Sequence, residues 1–445
     1  GTWCDGAGPA PSPAPSPAPS PEPAPSPGPA PGPAPAPAPL PSQCPDRGSQ
    51  NYKSDCKLQL ADRIVAESTV VLKNSGGLLP LPKTATVALV GSQACARDPL
   101  AIAGGSGWNG MACQQVPKAN VRDGIRRLGA RAASCPGRGG RNAQAGEADV
   151  VLAVVVPQKA SEGSDRQTLQ LSREDTELIR RYVREGHKVV VAMNAPGPMI
   201  TSTWDDGVAG LVVSWLPGVA NGDGIARALY NVGYEASGRL PVTFPKCSTE
   251  ACSRQDERQS VALGEEIDNQ EIHRFKDKAL IGYRWYHYMK REVSYPFGFG
   301  LFAYGKSSVQ YVAPWAKPRA QSVEVGCRLR VSGHSAGRDV PQLYLSFPNS
   351  VPGDDYSKPE WVLKGFDKVH VAPWAPADVA FTLSLRDLSY WDDAPGMSRW
   401  VCATGEFTAC IGANARDAVK SGEGACTTFE SPCAPAASGT VYHPL

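Results

Sequence analysis

The 445-residue chain has no apolar stretch long enough to cross a bilayer. Its longest purely apolar run is residues 150–156, against the roughly 20 residues a spanning helix needs. It also lacks any block of like charge: 45 basic residues stand against 43 acidic ones, without a basic stripe, which argues against nucleic acid or an anionic membrane as partner. The six histidines are scattered, and no two cysteines stand in a CxxC spacing, so neither a metal nor another cofactor is expected. No Asn-x-Ser/Thr sequon occurs, so any sugar coat must be O-linked. No signal peptide is visible, and Gly1 reads as the start of a processed mature form.

Proline, by contrast, is abundant and placed with regularity. It fills every odd position from Pro9 to Pro41, interleaved with Ala, Ser and Gly apart from Glu22 and Leu40. Alternate prolines fix φ and remove half the backbone donors, so neither helix nor sheet ladder can form. The expectation is a polyproline II rod, about 100 Å long at roughly 3.1 Å per residue. Thirteen cysteines point to an oxidising, extracellular compartment. Proximity in sequence suggests the pairs Cys44 with Cys56, Cys113 with Cys135, Cys247 with Cys252, and Cys426 with Cys433. The odd count leaves one thiol over, and Cys4, ahead of the rod, is the candidate for an intermolecular bridge.

From residue 57 onward the pattern alternates between helix and strand. Helices are expected at 57–73, 121–128, 173–185 with Ser172 as N-cap, and 223–230. Strands are expected at 86–90, 130–134, 149–156, 187–193 and 210–215. Such alternation builds an α/β sandwich, a mostly parallel sheet covered by helices. Beyond residue 305, short segments at 322–331, 342–346, 362–366, 379–385 and 405–411 suit a small antiparallel β-sandwich. The expected layout is an N-terminal cap at 1–8, a rod at 9–43, the α/β unit with its connecting segment at 44–304, the β-sandwich at 305–420 and a cysteine-containing tail at 421–445. The aromatic, glycine-rich residues 282–301 are expected to pack the two globular units together.

Particular residues then carry a resemblance. Val70-Val71-Leu72-Lys73-Asn74, Leu78-Leu79-Pro80-Leu81, Ala88-Leu89-Val90-Gly91, Gly104-Gly105-Ser106-Gly107, Glu162-Gly163-Ser164-Asp165-Arg166, Leu216-Pro217-Gly218 and the run from Gly238-Arg239-Leu240-Pro241 to Pro245 follow one another. In that order they resemble the C-terminal α/β-sandwich domain of glycoside hydrolase family three, which holds β-glucosidases and β-xylosidases. Gln342-Leu343-Tyr344-Leu345, Leu363-Lys364-Gly365-Phe366 and Asp387-Leu388-Ser389-Tyr390-Trp391 resemble that family's fibronectin type III-like domain. The rod resembles the hydroxyproline-rich glycoproteins of plant and algal walls. That resemblance implies hydroxylated prolines such as Pro11, Pro13, Pro15 and Pro17, and O-glycans on Ser12, Ser16, Ser20 and Ser26.

A retaining glycosidase needs two carboxyl groups about 5–5.5 Å apart. The resemblance implies a nucleophilic aspartate on a (β/α)₈ barrel of about 250 residues, more than the 56 residues that precede the α/β pattern here can supply. It also implies that Glu162 stands at the acid/base position. Without a second carboxylate Glu162 reads as vestigial, while Asp165 and Arg166 read as a loop-bracing ion pair, with glycan contact as their alternative role. Residues 105–110 formally satisfy GxGxxG, but the run neither follows a strand directly nor opens a helix, so the dinucleotide reading fails. Trp108 within it is a candidate for stacking on a sugar. Trp315, Trp361, Trp374, Trp391 and Trp400 are expected in the core. The resulting expectation is not an enzyme but a secreted, non-catalytic structural glycoprotein of a wall, matrix or filament, self-associating head to tail through its rod. Two alternatives stand beside it: an exo-acting β-glucosidase or β-xylosidase fragment that needs a barrel in trans, and a lectin-like glycan-binding module.

Overall fold

A computed structural model of the chain describes residues 55–91, 93–96, 119–131, 135–137, 140–157, 166, 168–247, 265–267, 273–275, 278–353, 357–392 and 398–433. The rod, Cys4 and the candidate O-glycosylation sites lie outside these residues. So do Cys44, Cys113, Cys252, Trp108, Glu162 and Asp165.

The first unit is built on a five-stranded sheet. Its strands are β1 (Val70–Asn74), β2 (Val87–Val90), β3 (Val150–Val155), β4 (Val189–Met193) and β5 (Gly210–Val213), in the order β1-β5-β4-β3-β2. β2 to β5 run parallel to their neighbours and β1 runs antiparallel to β5. Because side chains alternate between faces along a strand, each apolar run feeds two cores. Leu89, Leu152, Val190 and Val212 meet α1 (Asp55–Ser68), α2 (Val121–Arg127) and α4 (Asn221–Tyr230) on one face. Val90, Val151, Val191 and Val213 meet α3 (Arg173–Arg184) on the other. Ser172 caps α3 as the sequence predicts, its hydroxyl accepting from the Asp175 N–H at 3.0 Å. The helix expected over 57–73 ends at Ser68, and residues 70–73 belong to β1 instead. Val70, Val71 and Leu72 are β-branched or bulky residues that pack on a sheet. Ala130 and Arg131, expected to open a strand, belong to none.

A connecting segment follows with three short strands, β6 (Phe244–Pro245), β7 (Glu265–Ile267) and β8 (His273–Phe275), then helix α5 (Tyr283–Tyr288) and strand β9 (Val293–Tyr295) paired with β6. It joins the units as expected. Leu301 N–H donates to Val71 O at 2.9 Å, Gly298 N–H to Leu240 O at 2.7 Å, and Ala415 N–H to Phe297 O at 2.9 Å.

The second unit is a sandwich. One sheet holds β10 (Ser307–Pro318), β11 (Ser322–Gly333) and β16 (Ala377–Ser384). Between β11 and β16 run β12 (Gly337–Asp339), β13 (Gln342–Ser346), β14 (Val362–Phe366) and β15 (Val369–Val371). After β16 come the hairpin β17 (Ser389–Asp392) with β18 (Arg399–Cys402), then β19 (Glu406–Gly412) and β20 (Ala425–Glu430); β14-β13-β19-β20 form the second sheet. Val323, Val325, Cys327 and Leu329 point inward at every second position, against Leu343, Phe407 and Phe429. Ala425–Glu430, assigned from sequence to a tail, is thus an edge strand of the sandwich.

Two of the four disulfide pairings by proximity are corrected as well. Cys135 bonds Cys95, Cys426 bonds Cys410 and Cys433 bonds Cys402. Cys410 and Cys426 face each other in register across β19 and β20, so the sheet rather than the sequence interval chooses the partner. Cys56 and Cys247 are also disulfide-bonded. The core expectation fails for two tryptophans: Trp374 is 66 % and Trp391 48 % exposed.

Candidate active site

In an α/β sheet, ligands gather outside the carboxyl ends of the parallel strands, where loops leave the sheet. Here β2 and β3 are adjacent and parallel. The loop carrying Trp108 leaves the carboxyl end of β2, and the loop carrying Glu162 leaves the carboxyl end of β3. In chain order, both sequence candidates thus follow strands that neighbour each other in the sheet.

The described residues of the carboxyl edge form its rigid base. Gly91 ends β2 with φ +89°, and a Cβ there would lie 2.5 Å from Val154 O, so only glycine lets the chain turn off β2 so close to β3. Asn194, at the end of β4, ties three strands together. Its N–H donates to Val155 O at 3.1 Å and its side-chain amide to Ser214 O at 2.8 Å, in a position 1 % exposed. The Ser214 hydroxyl in turn lies 2.7 Å from that of Thr69. Past β5, Trp215 packs edge-on to Phe244 while Leu216 is 50 % exposed at the rim.

Arg166 is the one sequence-predicted site residue that the structure describes at this edge. Its guanidinium donates to Pro198 O at 3.2 Å and lies 3.1 Å from Met199 Sδ, in the loop after β4. The Glu162 loop is thereby fastened at its far end to the β4 loop. Sequence reasoning gave Arg166 the neighbouring Asp165 as partner, a pairing that falls outside the described residues, and missed both the β4 loop and Asn194. The available signal was the polar Asn194 directly after an all-apolar strand, followed by Pro196, Gly197 and Pro198.

A second cluster joins the two units, and it explains the Gly238-Arg239 motif. Arg239 donates to Asp339 at 2.7 Å, with side chains 7 % and 2 % exposed, and to the carbonyls of Ser237 and Gly238. The Tyr311 hydroxyl donates to the other Asp339 oxygen at 2.5 Å. Beside them Glu235 accepts from the Arg338 N–H at 3.0 Å. Burial pushes the Glu235 carboxyl up to about 7, against the pull of Arg338, Arg239 and Lys368. The Lys368 ammonium, its pKa lowered by burial, donates to Glu67 O and Ser237 Oγ.

The fold is thus an α/β sandwich bonded to a β-sandwich through Arg239 and Asp339. Residues 69–303 match the Glycosyl hydrolase family 3 C-terminal domain and residues 339–415 the Fibronectin type III-like domain; the chain belongs to that glycosyl hydrolase family. It is 28 % identical over 400 residues to "Probable beta-glucosidase L" of Emericella nidulans, covering 81 % of this chain and 52 % of that protein. It is 28 % identical over 388 residues to the thermostable beta-glucosidase B of Acetivibrio thermocellus, covering 83 % and 48 %. Its fold is that of the GH3 β-glucosidase of Bifidobacterium adolescentis, with TM-score 0.68, 23 % identity, and 86 % of this chain and 55 % of that one covered. The chain spans about half the length of the curated relatives it matches. These likenesses overturn the expectation of a non-catalytic structural filament protein, because the relatives and structural neighbours are β-glucosidases. The structural reading had weighed the missing second carboxylate above the kinship of the residues that are present.

Proposed function

We propose that this chain supplies the acid/base half of a family 3 β-glucosidase and works with a barrel half that these 445 residues do not span. The observation that carries the reading is the match over residues 69–303, together with the chain order, in which the Trp108 and Glu162 loops each follow one of two adjacent parallel strands. In this reading Glu162 protonates the glycosidic oxygen as a carboxylate of the barrel attacks the anomeric carbon. It then takes the proton of the water that releases the sugar. Trp108 offers a ring face to the sugar. Leu216, apolar and exposed at the same rim, faces the barrel. The disulfides Cys95–Cys135, Cys402–Cys433 and Cys410–Cys426 support an extracellular site of action.

The test is hydrolysis of an aryl β-glucoside by this chain mixed with a separately expressed family 3 barrel half. Turnover is expected only in the mixture. Glu162→Gln should lower it by roughly 10²–10⁴-fold, the usual share of a general acid/base. Absence of both association and turnover with barrel halves from several relatives would sink the proposal.

A further inference from the structure

The outer face of the β10-β11-β16 sheet is open to solvent. Val323, Val325, Cys327 and Leu329 of β11 point into the core, so the alternate residues Arg328, Arg330 and Ser332 point outward, and all three are exposed. Register extends this surface to both neighbouring strands: Ser332 pairs with Ser308, Arg330 with Gln310, and Arg328 with Asp378. Trp374 stands at one end of it. Residues 372–375 form a tight turn between β15 and β16, closed by the Ala375 N–H donating to Ala372 O at 3.1 Å. Ala377, two residues on, pairs with Leu329, so the turn lies toward the end of β11 that carries Arg330 and Ser332.

Three features distinguish this end of the sheet from ordinary surface. First, its indole is both open and rigidly held. Trp374 is 66 % exposed, with no ring contact or hydrogen bond among the described residues, and Pro373 and Pro376 flank it, restricting the backbone that presents it. The other indole of the face is engaged already: Trp315 lies over Gly326, where a Cβ would come within 2.3 Å of its ring, and Lys317 Nζ stands 4.2 Å from its centroid. Second, charge is nearly balanced. Arg328 donates to both oxygens of Asp378, at 2.8 and 3.2 Å, which leaves Arg330 as the cation beside the turn, without an ion pair among the described residues. Third, the side chains of Gln310, Ser308 and Ser332 are exposed and make no hydrogen bonds among the described residues. A ligand here meets one ring, one amide, two hydroxyls and one guanidinium.

We infer that this face binds a neutral β-1,4-linked glycan, one sugar ring stacked on Trp374 and its neighbours hydrogen-bonded to Gln310, Arg330 and Ser332. A pyranose carries a C–H face that packs on an indole and hydroxyls that pair with an amide, a hydroxyl or a guanidinium. A protein partner would draw its affinity from a cluster of apolar anchors, and a single one stands here. A polyanion would need several cations, and one is free. The β-1,4 linkage gives a flat ribbon that lies along a strand ladder, whereas an α-1,4 chain curls away from it. The site belongs to the sandwich unit, and the inference does not depend on the glucosidase reading.

The test is calorimetric titration of the full chain with cellohexaose, with maltohexaose as control. Saturable binding of cellohexaose is expected, and maltohexaose should bind at least tenfold more weakly. Trp374→Ala should lower the affinity for cellohexaose at least tenfold with the melting temperature unchanged, because the ring lies outside the packed core. Trp374→Phe, which keeps a smaller ring, should lose less. Gln310→Ala combined with Arg330→Ala should lose at least threefold and reads the same site without touching the turn. Trp108→Ala should bind as the parent does, which separates this face from the candidate active site. Four results would each overturn the inference: no saturable heat with cellohexaose, equal binding of maltohexaose, folded Trp374→Ala protein that binds like the parent, or binding abolished by Trp108→Ala. Sedimentation tests the rival occupant: self-association of the parent that Trp374→Ala abolishes would assign the face to a second copy of the chain and overturn the inference as well.

Discussion

Glu235 shows how one buried carboxyl couples the protein to pH. Its pKa is raised from an ordinary 4.5 to about 7 because burial disfavours the charge. A carboxyl with a raised folded-state pKa contributes its stability in full below about pH 4.5 and loses it as pH climbs through 7. The ionised form at pH 8 therefore costs on the order of 3 kcal/mol. Glu235→Gln keeps an oxygen for the Arg338 N–H and removes the charge. Measured by urea unfolding, the variant should match the parent near pH 4.5 and exceed it by about 3 kcal/mol at pH 8. A constant difference across that window would refute the assignment. None of this was legible in the sequence: Glu235 precedes a recognised motif, but Arg338, which donates to it, lies 103 residues away. The motif itself was readable, while its task of holding Asp339 was not.

The elements were legible where the local signal and the fold agreed. The all-apolar run of β3, the cap at Ser172 and the alternation in β11 each state one periodicity, and each formed as expected. β10 was missed because Pro314 breaks its pattern. The structure accommodates this with an irregular register between Val312 and Trp315 and with Ala313 at φ +50°, on an edge strand where proline does least harm. β20 was missed because it pairs only with β19, and its cysteine drew attention to the wrong partner. The crossing of α2 and α4 was equally invisible. A Cβ on Gly222 would lie 2.3 Å from Asn120 O, and one on Gly124 2.0 Å from Gly222 O, so the helices touch backbone to backbone. Gly222→Ala must push them apart and should destabilise the protein by about 2–3 kcal/mol. Ser172→Ala, which removes only the α3 cap, should cost about 1 kcal/mol. Chemical denaturation that ranked the two in the reverse order would contradict the close crossing.

At the scale of the whole molecule, the question is whether the two units behave as one body. The sheet edge whose strands the Trp108 and Glu162 loops follow belongs to the first unit, and the Arg239–Asp339 pair bonds that unit to the second with both partners almost fully buried. A buried pair of this kind adds little net stability, yet removing one partner strands the other's charge, at a cost of about 3–5 kcal/mol. Asp339→Ala would leave the Arg239 guanidinium facing a hole and take the acceptor of the Tyr311 hydroxyl. Because those groups lie at the junction, the loss falls on the contact between units more than on either core. The parent should therefore melt in a single calorimetric transition. Asp339→Ala should split it in two, with the fibronectin-like unit melting separately on its own core of Val323, Val325, Leu343 and Phe407. Asp339→Asn, which still offers Tyr311 and Arg239 an oxygen but no charge, should fall between them. If Asp339→Ala instead lowers a transition that stays single, the pair is a core element of one cooperative fold. Its burial would then reflect packing within one body and not a clasp between two.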